Sequence, residues 1–384
     1  MREADTKPMT ELSYVIIGKN AQSSIARLLD SVLANTPSCL SAEIIYVDSA
    51  STDRTIEIVS QYPVTIIQLS ADQLLCASAG RYVGSEYATG SLICFLDSDM
   101  ELLDGWLERA LIELEANPQV AVVAGVVLDS DSALPSECVP PVDYSLYSNP
   151  KVKDVRFVGG AALCRRSILT GVGGWNPFLI SDEEPELCLR IRNAGYRVIR
   201  LEYPMVRHHT LPLSRLTSLL ARRGRRLYVG QGQTIRYYLM SRQPLRAYLA
   251  DRGFALAGVG VMLLAFASVL LSWVTMNGYW FLCFLFVLGS VIVIDAVRTH
   301  SIYKPLFHML HRAVILEGTI KGFMMPPHHP NEYPGKITFI RRADALPSRI
   351  NAVASSREAE GKPVSVVNSQ HDSVRLAYDL KPSL

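Results

Sequence analysis

Residues 253–294 carry no charged side chain, a run of forty-two positions in a chain of 384. Helices of soluble proteins rarely go so long without charge, because one face must meet water. As a single helix, at about 1.5 Å per residue, the run would be roughly twice the ~30 Å thickness of bilayer hydrocarbon. Asn277-Gly278 sits near its middle, and this dipeptide marks a turn. The run therefore predicts a helical hairpin, about residues 253–274 and 278–296, as two transmembrane helices. Trp273, Tyr279 and Trp280 fall near the turn, where amphipathic rings favour the membrane interface. Arg242, Arg246 and Arg252 precede the run, and Arg298, Lys304 and Arg312 follow it. The positive-inside rule then places both long arms on the cytoplasmic side of a cell (inner) membrane. The other reading of the run is a buried core hairpin.

Composition agrees with a membrane segment. Hydrophobic residues make up 49% of the chain and the mean hydropathy is +0.18. A net charge of +2 gives no general attraction to nucleic acid. Seven cysteines without a CxxC pair read as reduced thiols, not as a disulfide or zinc framework. The polar tail 1–11 has no apolar core, so no signal peptide is expected. Residues 301–344 read as a cytoplasmic amphipathic segment. Residues 345–384, polar and low in aromatics, read as a disordered tail.

Ahead of the hairpin, strand-like and helix-like runs alternate. Strands are expected at 14–17, 43–47, 64–69 and 92–96, with helices at about 25–33, 53–61 and 76–89 between them. Further strands are expected at 120–128 and 157–164, and a helix at 183–194. This rhythm predicts an α/β domain with a parallel sheet covered on both faces. Residues 129–154, rich in Ser and Pro, predict a loop or flap. Residues 215–226 form a dense basic stretch before the hairpin.

In an open parallel sheet, ligands bind beyond the carboxyl ends of the strands. Three acidic motifs fall there. Asp97-Ser98-Asp99 follows an apolar strand and projects two carboxylates from one turn. Hard oxygen ligands of this kind suit Mg²⁺ or Mn²⁺ shared with substrate phosphates. The plain alternative is a solvated turn. Asp48 follows the strand at 43–47 and can accept hydrogen bonds from a base or ribose. Ser51, Thr52 and Asp53 are better caps for the next helix, which leaves Asp48 free. Glu183, Glu184 and Glu186 open a helix, where acidic residues suit the macrodipole. Crowded carboxylates also raise one another's pKa, which suits a general base near neutral pH.

Five motifs in order resemble glycosyltransferase family 2, over about residues 12–240. They are SYVIIGKNAQSS with Gly18-Lys19-Asn20, VDSASTDRT from Val47, LDSDM from Leu96, FVGGAALCRRSILTGVGGW from Phe157, and EEPELCLRIRNAGYRV from Glu183. The resemblance implies the GT-A fold, a Rossmann-like, mostly parallel nucleotide-diphospho-sugar domain. It implies donor binding by Asp48, Asp97, Asn20 and Ser51, a divalent metal (Mg²⁺ or Mn²⁺) on Asp99 and Asp97, and an acceptor side framed by Gly159, Gly160 and Trp175. Glu184 matches the acceptor-activating base, with Glu183 beside it, where the family usually has Asp. His208-His209 resembles a His that completes the metal or diphosphate site in some relatives. Adjacent strand residues face opposite ways, so at most one serves, and His208 is the candidate. Gln233-x-x-Arg236-Tyr237 resembles the Gln-x-x-Arg-Trp of polysaccharide synthases, although an interfacial amphipathic helix explains it as well.

The implied function is inverting sugar transfer from a nucleotide-sugar to a membrane-associated glycan or lipid in polysaccharide or glycolipid synthesis. The expected partners are donor, acceptor and membrane. Two other functions are open. A nucleotidyltransferase needs a Gly-rich phosphate loop after the first strand, where this chain has GKNAQSS. A non-catalytic membrane scaffold has no need of Asp97, Asp99 and Glu184.

Overall fold

The computed structural model describes residues 11–131, 140–210, 215–241, 245–344 and 346. The expected N-terminal tail before 11, the middle of the flap at 132–139 and the tail beyond 346 lie outside the described residues.

The first half of the chain alternates as its hydrophobic pattern requires. The strands are β1 (Leu12–Gly18), β2 (Ala42–Asp48), β3 (Thr65–Leu69) and β4 (Leu92–Asp97). Between them lie helices α1 (Ile25–Asn35), α2 (Thr55–Val59) and α3 (Ala77–Tyr87). These four strands pair in parallel in the order β3-β2-β1-β4. Successive residues of β1 feed opposite faces. Tyr14 and Ile16 pack with Leu28, Ile44 and Leu96, whereas Val15 and Ile17 pack with Val47, Val83 and Phe95. A sheet buried on both sides needs apolar residues at nearly every position, which explains the unbroken apolar runs.

Past β4 the sheet becomes mixed. A short strand β5 (Met100–Leu102) and helix α4 (Trp106–Ala116) follow, then β6 (Val120–Asp131), β7 (Val152–Asp154) and β8 (Ala162–Arg165). Helix α5 (Arg166–Gly171), helix α6 (Glu183–Asn193) and the long strand β9 (Arg197–Thr210) complete this part. β8 runs antiparallel to both β4 and β6, while β6 and β9 are parallel. The strand expected at 157–164 begins only at Ala162; Phe157–Ala161 form no strand, and Gly160 lies against Asp97.

The remaining helices are α7 (Arg215–Gly224), α8 (Gly230–Ser241), α9 (Leu245–Val274), α10 (Tyr279–Thr299) and α11 (Tyr303–Met324). Among the described residues α10 alone is long and apolar enough to cross a membrane; the apolar part of α9, Gly258–Val274, is shorter. α9 also begins eight residues ahead of the expected span. Its first turns carry Arg246, Asp251 and Arg252 and pack against α6 and α8.

A last strand, β10 (Ile337–Arg341), comes from the segment read as a separate amphipathic piece. It pairs antiparallel with β3 and covers what would otherwise be an open sheet edge. Its Ile337-Thr338-Phe339-Ile340 run is β-branched and aromatic, a short strand signal that the amphipathic reading of 301–344 passed over.

Helices α8 and α11 pack closely because Gly322 has no side chain: a Cβ there would stand 1.9 Å from the Val229 carbonyl oxygen. Gly322→Ala should therefore push the helices apart, at about 1–3 kcal/mol. Thermal unfolding of the full chain in detergent should show a lower midpoint; an unchanged midpoint means this packing is looser than described.

Candidate functional site

The strand order reverses at β1, which lies between β2 and β4. This is the switch point at which open α/β sheets leave a crevice. Asp48 is in register with Gly18, and Asp97 with Ile17, so both acidic strand ends border that crevice.

On one side lie the loops after β1 and β2. Asn20, with φ of +53°, donates its backbone N–H to Ser51 Oγ at 2.8 Å and accepts the Thr52 N–H at 2.8 Å. Asp48 is fully buried. It accepts the Ser51 N–H (2.8 Å), the Ser51 hydroxyl (2.5 Å) and Gln68 Nε2 (3.0 Å). The carboxylate that the sequence left free is thus engaged within the fold. Asn20 and Ser51 stand at the surface of the crevice in its place.

On the other side a buried cation organises the acids. Arg81, on α3 and 2% exposed, donates to Asp97 Oδ1 at 2.9 Å and to Glu183 Oε1 at 2.8 Å, and lies 3.2 Å from Glu184 Oε1. Its guanidinium sits over the Trp175 ring, 5.3 Å from the centroid, and Trp175 packs edge-on against Phe95. A Cβ at Gly160 would fall 2.3 Å from Asp97 Oδ2 and 2.7 Å from Arg81 Nη2, so only glycine fits there. Gly159 beside it is unobstructed. The expected acceptor-side residues and the two acidic motifs therefore meet around one guanidinium.

Three carboxylates face one positive charge here, and burial disfavours the ionised forms of Glu183 and Glu184. Burial, and after it the neighbouring Glu183 carboxylate, push Glu184 up to about 8. Glu183 is also raised, chiefly by burial.

Asp99 points away from this cluster. Its half-exposed carboxylate lies 3.2 Å from His208 Nε2, and its carbonyl accepts the His209 N–H at 3.0 Å. The hydrogen bond to Asp99 raises the His208 pKa. His209 faces Glu101 instead, 3.2 Å away, as opposite sides of a strand require. Among the described residues no group of three or more His, Cys, Asp and Glu gathers as a complete metal cage. Asp99 and His208 together do fit a hard divalent cation that takes its other ligands from a diphosphate and water. Asp97 is already committed to Arg81.

The loop ahead of Glu183 is held by Ser78, which the sequence did not single out, and by Gln233, which it did. Ser78 Oγ donates to the Asn176 carbonyl, and Gln233 accepts the Ile180 N–H and donates to the Phe178 carbonyl. Arg236 donates to the Phe323 carbonyl. Gln233 and Arg236, open to reading as a membrane-surface pattern, thus join α8 to this loop and to α11. Arg81 was missed as well. Within a helical run, nothing marks one arginine as buried until its carboxylate partners are brought together.

The chain matches the family model "Glycosyl transferase family 2" over residues 13–170 and "Glycosyl transferase family group 2" over residues 92–294. The glycosyltransferase AglE of Haloferax volcanii is 26% identical over 260 residues, covering 66% of this chain and 80% of AglE. Polypeptide N-acetylgalactosaminyltransferase 3 of Taeniopygia guttata is 34% identical over 130 residues, 32% of this chain; the chain spans only 21% of that relative's length. The pre-mycofactocin glycosyltransferase of Mycobacterium tuberculosis is 30% identical over 139 residues, 34% of this chain and 29% of its own. Among solved structures, S. aureus TarS aligns with a TM-score of 0.41 at 18% identity, covering 57% of this chain and 40% of TarS. GalNAc-T7 with UDP, GalNAc and Mn²⁺ aligns with a TM-score of 0.42 at 16% identity, covering 64% of this chain and 55% of that one. The second family match alone takes in more than half of the chain: this protein belongs to the glycosyl transferase family 2 group and is a glycosyltransferase.

Proposed function

We propose that this enzyme moves a sugar, with inversion, from a nucleotide-diphosphate sugar to a hydroxyl of a membrane-associated glycan or lipid. The observation that carries this reading is the gathering of Asp97, Glu183 and Glu184 on Arg81, beside Asp99 and His208, at the carboxyl ends of the strands. The nucleoside lies over the Asn20–Ser51 loops, which Asp48 holds in shape. Ribose and diphosphate extend past Asp97 toward Asp99. The acceptor enters beside Gly159, Gly160 and Trp175.

Glu184 accepts the proton of the acceptor hydroxyl. The hydroxyl oxygen forms a bond to the anomeric carbon as the carbon–oxygen bond to the diphosphate breaks. The nucleoside diphosphate leaves with that electron pair, and one displacement inverts the centre. Asp99 and His208 would hold Mg²⁺ or Mn²⁺, which when bound supplies positive charge to the leaving diphosphate. His208 must be neutral to serve as a ligand, so metal affinity rises with pH. GalNAc-T7, aligned above with UDP and Mn²⁺, is a case of such a donor product and ion held together.

The catalytic unit is residues 12–240 together with β10. The apolar helices α9 and α10 form the membrane hairpin, with catalytic domain and tail on the cytoplasmic side. The length and composition of α10 and the basic flanks support this.

Glu184→Gln should lower kcat by about 10²–10⁴-fold with nucleotide affinity retained. Asp99→Ala should weaken activation by added Mn²⁺ on the order of tenfold or more. Near-native turnover in either variant, in a nucleotide-release assay across donors, removes the assigned role.

The base works deprotonated, so kcat/KM for the acceptor should rise with pH. The midpoint should lie above the usual carboxylate range and at or below about 8, since a bound cation lowers it from the value set by burial and Glu183. A midpoint between pH 4 and 5 would argue against Glu184.

Cys39 is exposed on the catalytic half. A membrane-impermeant maleimide should label it in broken cells and spare it in intact ones. Labelling in intact cells reverses the topology.

A further inference from the structure

Helix α6, which begins with Glu183 and Glu184, is held along its length by the first turns of α9 and by α8. Asp182, just ahead of α6, has φ of +66° and makes no side-chain cap to the helix. Its carboxylate instead accepts the Tyr248 hydroxyl and pairs with Arg252, both on α9. At the far end of α6, Arg192 pairs with Asp251, also on α9. Midway, Glu186 accepts the Tyr238 hydroxyl from α8 at 2.8 Å and the Arg190 guanidinium at 2.6 and 2.8 Å. The Tyr238 and Tyr248 rings pack edge to face with centroids 5.7 Å apart. Tyr248 is 1% exposed, and the Asp182 side chain 5%.

A non-glycine residue with positive φ persists only where its surroundings over-determine it. Here the surroundings are two α9 side chains on a buried carboxylate. The torsion at Asp182 sets the direction in which the chain enters α6, and Glu184 is only two residues on. A base must lie within hydrogen-bond reach of the proton it takes, so a small change in that direction moves it out of range. The same α9 turns lead directly into the apolar segment.

We propose that Asp182 is a positioning residue: held by Tyr248 and Arg252 of α9, it aims Glu184 at the acceptor hydroxyl and couples the base to the helix that enters the apolar segment. This rests on the reading of Glu184 as the base. Its substance is that α9 is part of the catalytic machinery and more than an attachment to a bilayer.

The test uses the full chain in detergent or nanodiscs. Tyr248→Phe removes one oxygen from the clamp. Asp182→Gly keeps the positive φ accessible while deleting the tether. Asp182→Asn tolerates the same backbone and can still accept from Tyr248. Misplacement of about 1 Å can cost on the order of 10²-fold in rate. Tyr248→Phe and Asp182→Gly should therefore lower kcat about 10–100-fold, with donor KM and nucleotide affinity within about twofold of native. Asp182→Asn should recover part of the loss. Turnover within about twofold of native in both Tyr248→Phe and Asp182→Gly overturns the proposal. So does a loss matched by an equal loss of nucleotide affinity and a lower melting midpoint, which marks a purely structural role. Should Asp182→Gly not fold, Tyr248→Phe alone decides by the same criteria. Glu184→Gln is run alongside: near-native activity there sinks the base reading itself, whereas an inactive Glu184→Gln beside an active Tyr248→Phe sinks the positioning alone.

Discussion

A buried guanidinium needs acceptors for its N–H groups; Arg81 finds them for both terminal nitrogens in Asp97, Glu183 and Glu184, while its Nε–H has none among the described residues. These groups arrive from β4 and from α6, elements far apart in the chain. The ion cluster therefore draws the end of the sheet, helix α3 and the Glu184 helix to one point. Trp175 over the guanidinium and Gly160 against Asp97 complete the enclosure. Burial and the neighbouring Glu183 carboxylate push Glu184 up to about 8. The same arrangement ties Asp97 to Arg81, while Asp99 pairs with His208 outside the ion cluster.

Around this centre, later parts of the chain tighten the assembly. Gln233 grips the loop at 178–180, and Phe178 stacks on His328 beyond α11. Tyr333 donates to the Leu74 carbonyl ahead of α3 and packs against Tyr82 on that helix, while Phe339 of β10 packs against Tyr87. Segments on either side of the apolar helices thus hold α3 and α6, the two helices that supply Arg81 and Glu184. The apolar helices are inserted within the catalytic architecture, since chain that follows them returns to its sheet.

The parallel core was legible because period and burial coincide: the runs at 14–17, 43–47, 64–69 and 92–96 each became a strand of the two-sided sheet. Asp97, Asp99 and Glu184 were legible because carboxylates at strand ends and in a first helical turn are local patterns. Arg81 was not, since an arginine on a helix looks the same buried or exposed. Asp48 was found but its partner Gln68 was not, because Gln68 lies on the next strand over and meets it only when the sheet forms. The tethers of Asp182 to α9 and of Gln233 to the loop at 178–180 were hidden for the same reason.

By itself, then, the sequence determined the four parallel strands of the core and where their acidic ends fall, and it marked a long uncharged stretch that predicts a membrane segment. Those properties depend on hydrophobic periodicity and on residue chemistry, both local. Tertiary structure alone decided which carboxylates are paired, which is left to titrate near neutrality, and that α9 and β10 join the catalytic half. Burial and charge pairing are properties of side chains brought together from distant positions, and no window along the chain contains them.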